Sequence, residues 1–78
     1  MRQRYTPVKV PDHAHPLVKR LFELMQHERI GVLDMAARAG VNGNTLRDWR
    51  NRTLPNVANL DACLNVLGYR LTVEEIDA

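Results

Sequence analysis

Seventy-eight residues, 45% of them hydrophobic and 26% charged, make room for one small domain with one modest core and argue against a disordered chain. A single cysteine, Cys63, rules out a disulfide framework, and no apolar run approaches the ~18 residues of a membrane span. The net charge of +2 is uneven. Residues 1–54 carry ten Lys/Arg against five Asp/Glu, whereas residues 55–78 set Arg70 alone against Asp61, Glu74, Glu75 and Asp77, which points to a basic working face and an acidic tail.

Residues 1–15 hold Pro7, Pro11, Arg2, Arg4, Tyr5 and Lys9 with no helical period, and read as an arm. They contain no apolar h-region, so no secretory signal is expected and a reducing cytoplasm is the expected compartment. Pro16 suits the first position of a helix, where its missing N–H costs nothing. Leu17, Val18, Leu21, Phe22, Leu24 and Met25 then recur at helical spacing, giving a first helix over about Pro16 to Glu28. Ile30 and Gly31 break the pattern. A second helix is expected from about Val32 to Ala39, with Asp34 in its first turn.

Gly40-Val41 forms the turn that follows, and a glycine there permits a positive φ. Asn42 is a good N-cap for a third helix, expected from about Gly43 to Asn51. Gly43 is a weak helix former and a place where a ligand backbone can come close. Ala36 and Gly40 are small and four apart, while Met35, Ala39, Val41, Leu46 and Trp49 are the apolar positions around them, so the two helices can cross closely. Asn44, Thr45, Arg47, Asp48 and Arg50 are left outside. This is the layout of a helix-turn-helix over 32–51.

Arg52 to Pro55 reads as a loop. Asn56 caps a fourth helix with Val57, Leu60, Cys63, Leu64 and Leu67 on one face, and Gly68 stands at its C′ position. Tyr69-Arg70-Leu71-Thr72-Val73 alternates and is rich in strand formers. A lone strand lacks partners for its backbone, so it either lies against its own helices or pairs with a second chain across a two-fold axis. No set of residues suits nucleophilic catalysis, paired-carboxylate chemistry or phosphate cradling, so an enzyme is not expected. His13, His15 and His27 lack the companions of a metal site, and no metal or cofactor is expected.

The helix pair, the run PNVANLDACLNVLG (Pro55 to Gly68) in register behind it, and the first helix with Ile30 ahead of it together resemble the phage repressor and Cro-like (XRE-type) helix-turn-helix domains, over about Leu17 to Leu67. The resemblance implies an all-α, lambda-repressor-like domain of four or five helices over 16–68, here with a short C-terminal β-strand in 69–78. It implies a sequence-specific double-stranded DNA-binding regulator, most simply a repressor, acting as a homodimer on a two-fold operator. Base-reading positions would be Gly43, Asn44, Thr45, Arg47 and Asp48, and phosphate-gripping positions Asn42, Arg50, Asn51 and Arg52. Apart from that resemblance, Arg2 and Arg4 read either as an arm that enters the minor groove, as homeodomain arms do, or as a disordered terminus, and Tyr69, Leu71 and Val73 are the dimerisation candidates.

The chain departs from the family at Val32, where a Gln often contacts the DNA backbone, and at Gly31, where Ser or Thr often caps. The second reading is an antitoxin-like or adaptor module in which DNA contact is secondary and a toxin or other regulator is the partner. A DNA reader needs a polar, basic outer face on the third helix; an interaction module would expose apolar residues there.

Overall fold

The computed structural model describes residues 8–11, 14–50 and 53–77. Four helices account for the regular structure among them: α1 (Pro16–Glu28), α2 (Val32–Ala39), α3 (Gly43–Asp48) and α4 (Val57–Val66). The protein is therefore a small all-helical domain. None of the helices in the described residues is long and apolar enough to cross a membrane.

Local chemistry explains where each helix begins. Pro16 takes the first position of α1, and the Nδ1 of His15 accepts the Leu17 N–H at 3.1 Å. The Oδ1 of Asn42 accepts the Asn44 N–H at 2.8 Å at the head of α3, and that of Asn56 accepts the Asn59 N–H at 2.8 Å at the head of α4. Gly31 precedes α2 with no side-chain cap, as its lack of a side chain requires.

Three of the helix ends use a left-handed residue. Arg29 (φ 57) follows α1, with its N–H on the Gln26 carbonyl and that of Ile30 on the Met25 carbonyl. Gly40 (φ 72) closes α2, and the Val41 N–H reaches the Ala36 carbonyl at 3.0 Å. Gly68 (φ 89) follows α4, with its N–H on the Asn65 carbonyl and that of Tyr69 on the Leu64 carbonyl. Each is a hydrogen-bonded cap that satisfies carbonyls otherwise left open at a helix end. Gly40 is the one that sets the angle between α2 and α3. A Cβ there would meet nothing within 4 Å, so the demand for glycine is purely conformational. Gly40→Ala is expected to cost about 1 kcal/mol, the left-handed penalty less the entropy it removes from the unfolded chain. Urea denaturation checks this; an unchanged midpoint would mean that the turn does not hold this φ in solution.

The core is made of Val18, Leu21, Phe22, Leu24 and Met25 from α1, Met35 and Ala36 from α2, Leu46 and Trp49 from α3 and its exit, and Leu60, Cys63 and Leu64 from α4. Helix α2 packs on both α3 and α4, and α1 packs on α4. Val8 is also buried here, and Val10 and Ala14 rest against the same cluster, so these three residues of the expected arm are docked on the domain. Burial pushes the Cys63 thiol from 9.0 up to about 11. Its folded form therefore holds its proton longer than the unfolded form. The contribution is fully present below about pH 9 and is lost as pH rises toward 11. At pH 8 an alkylating reagent is expected to label Cys63 only as fast as the chain opens. Labelling at the rate of a free thiol would show the core to be open.

Several expectations need correction. Helix α3 stops at Asp48 rather than Asn51: the Arg50 N–H turns back to the Arg47 carbonyl at 3.1 Å and the Thr53 N–H to the Asp48 carbonyl at 3.3 Å. The apolar stripe that anchors α3 ends at Trp49. Leu17 and Val57, placed on inner faces by their spacing, are exposed, whereas Val18 and Leu60 close by in the same helices are buried. The C-terminal segment 69–77 forms no strand, since a β-ladder needs a second strand and the described residues of this chain supply none.

Candidate nucleic-acid interface

Helix α3 has one apolar side, and that side fixes what the other presents. Leu46 and Trp49 are buried and three residues apart, so they lie on the same face. At 3.6 residues per turn, Asn44 then points directly away from the core, with Arg47 and Asp48 flanking it on either side. All three are exposed, as is Asn42 at the N-cap, while Gly43 and Thr45 are half-buried at the flanks. The structure thus brings Asn44, Arg47 and Asp48 together on one solvent-facing surface, and leaves Gly43 and Thr45 at its edge.

Asn42 spends its side-chain oxygen on the Asn44 N–H, which leaves its amide hydrogens as donors. Arg47 Nη1 lies 3.4 Å from Asn44 Oδ1, a long contact one helical turn apart that holds the two side chains side by side. Among the described residues no carboxylate pairs with Arg47 or Arg50, whereas Arg20 meets Glu23 at 3.8 Å and Arg38 meets Asp34 at 2.9 Å. The two unpaired guanidinium groups sit where α3 meets solvent and where the chain leaves it.

Arg50 is placed differently from a free phosphate hook. Its guanidinium carbon lies 6.0 Å from the centre of the Phe22 ring, which is fully buried. Arg50 is half-buried and covers this part of the core, a cation–π contact worth about 0.5–1 kcal/mol. Its backbone lies just past the end of α3 rather than within it, and its side chain has a structural task that spacing did not reveal.

Gly43 also has a neighbour that the sequence did not disclose. A Cβ at this position would lie 3.2 Å from Leu33 Cδ2, so the head of α3 comes close to the side chain of α2. Leu33 is exposed and flexible at that end, so the approach is tight without being closed.

The remaining candidates divide in two. Asn51, Arg52, Arg2 and Arg4 lie outside the described residues. Of the dimerisation candidates, Leu71 packs against the core, Tyr69 is about half exposed and Val73 is almost fully exposed. No family model, characterised protein or solved structure matches this chain.

Proposed function

We propose that this chain is a sequence-specific double-stranded DNA-binding regulator of the phage repressor and Cro-like type, a repressor in its simplest action, working as a homodimer on a two-fold operator. The reading rests chiefly on α3: a short helix held to the core by Leu46 and Trp49, with Asn44, Arg47 and Asp48 on its open side. Those side chains suit base edges. Arg47 matches guanine O6 and N7 with two parallel bonds, Asn44 matches adenine N6 and N7, and Asp48 accepts from cytosine N4 or orients Arg47. Gly43 and Thr45, at the margin of the same face, fit close approach to a groove wall.

Asn42, Arg50, Asn51 and Arg52 are the proposed phosphate contacts, which set register on the duplex without reading sequence. Arg2 and Arg4 are the proposed minor-groove arm, and the docked Val8 would fix where that arm starts. The balance of +5 over residues 1–54 favours a polyanion.

A second reading, an adaptor or antitoxin-like module with a protein partner such as a toxin, draws on Leu54 and Val57, which are 71% and 73% exposed beside the exit from α3. Selection of bound duplexes from a random pool separates the two. The DNA reading expects an enriched motif of two inverted half-sites, centred about one helical turn apart, ~34 Å. Absence of enrichment would reject it in favour of the adaptor.

A further inference from the structure

The C-terminal segment leaves α4 with one of its two edges already used. The Tyr69 N–H donates to the Leu64 carbonyl at 2.8 Å, and the Tyr69 carbonyl accepts from Asn65 Nδ2 at 3.2 Å. Two residues on, the Leu71 N–H donates to Asp61 Oδ1 at 2.9 Å, while the Leu71 side chain packs against the core. In an extended chain the backbone groups of successive residues point to opposite edges. Tyr69 and Leu71 are thus turned toward α4, and a chain continued in the extended form would carry the N–H and C=O groups of Arg70, Thr72 and Glu74 to the other edge. Residues 72–77 make no hydrogen bond among the described residues. Val73 and Ile76 are 95% and 91% exposed, so nothing described in this chain covers them.

We propose that this free edge is paired by the same segment of a second copy, as an antiparallel ribbon in which Thr72 faces Thr72 across the two-fold axis. The proposal rests on the homodimer part of the reading above and not on its DNA contacts. A two-fold ribbon must be centred on one residue, since facing residues turn their backbone groups to the same edge and so differ by an even number of positions. Centring on Thr72 sets Arg70 opposite Glu74 twice and Leu71 opposite Val73 twice. It also brings Ile76 to Gly68, where a Cβ would meet nothing within 4 Å.

The neighbouring registers are worse. Centring on Val73 puts Leu71 opposite Glu75 and Arg70 opposite Ile76. Centring on Glu74 sets two carboxylates face to face, and centring on Leu71 gives up both ion pairs. In the proposed register the face that Leu71 turns to its own core is continued by Val73 of both copies, while Arg70, Thr72 and Glu74 form a polar outer face.

Single cysteines test the register directly, because Cys63 is buried and its thiol stays protonated. Under mild oxidation the full-length Thr72→Cys variant is expected to give a disulfide-linked dimer, with Cα atoms about 5.5 Å apart in a hydrogen-bonded pair. Glu74→Cys is expected not to, because its two copies stand about 13 Å apart along the ribbon. Arg70→Glu is expected to raise the dimer dissociation constant at least tenfold in sedimentation, and adding Glu74→Arg to restore it. Faster linking at position 73 or 74 than at 72 would overturn the register. A dimer indifferent to the Arg70 and Glu74 exchanges would overturn the ribbon. A chain monomeric at tens of micromolar would overturn both the ribbon and the homodimer, while enrichment of a single half-site by the same chain would leave DNA reading standing.

Discussion

Replacing Phe22 by alanine is expected to remove about 3–5 kcal/mol of stability, a large share of what a domain of this length has. The ring is fully buried in α1, in the same cluster as Leu46 and Trp49, and Arg50 lies over it. Removing a phenyl group from such a site costs about 3–5 kcal/mol, the lost transfer energy plus the cavity left behind. A domain of this length has roughly 4–12 kcal/mol in total at the usual 0.05–0.15 kcal/mol per residue. The substitution therefore consumes a large share of what holds the fold, and it also removes the seat of the Arg50 guanidinium. The urea midpoint should fall steeply with the slope unchanged. Val57→Ala serves as the contrast, since Val57 is exposed and its loss should stay within about 0.5 kcal/mol. Similar shifts for the two variants would refute the assignment of the core.

What the sequence made legible follows from the range of the interactions involved. Pro16, Asn42, Asn56, Gly40 and Gly68 act on their own neighbours within a turn, so residue type and position are enough to place them. The inner face of the helix pair was legible for the same reason, since Met35, Ala36, Leu46 and Trp49 form the stripe that must be buried.

Other features depend on elements that meet only in three dimensions. Spacing marks Leu17 and Val57 as members of an apolar face but does not say whether a neighbour stands opposite them. The Leu71 bond to Asp61 spans ten residues, and the Arg50 approach to Phe22 joins the exit of α3 to α1. His15 as a cap and Arg29 in a left-handed conformation were hidden for a different reason: neither residue type is a usual choice for its post. The outer face of α3 was legible as polar, but the pairing of Arg47 with Asn44 depends on rotamers.

Arg47→Ala is expected to blunt the choice of base at one position of each half-site while leaving the fold intact. The side chain is exposed, has no carboxylate partner among the described residues and touches the Asn44 amide at 3.4 Å, so little of the core depends on it. A bidentate arginine–guanine pair discriminates by about 1–3 kcal/mol, which is roughly five- to 150-fold in relative affinity. The measurement compares the selected duplex with duplexes changed at one base pair, at one fixed salt concentration. The variant should bind the original and one of the changed duplexes almost equally, and keep its preference at the other positions. An equal loss on every duplex, with a salt dependence shallower by about one unit, would instead place Arg47 on phosphate. Arg50 is a poorer probe, because Arg50→Ala also uncovers Phe22, and weaker binding would then mix lost contact with lost stability. Arg47 avoids that confusion: if Arg47→Ala keeps the melting temperature and loses discrimination, the loss belongs to the interface itself.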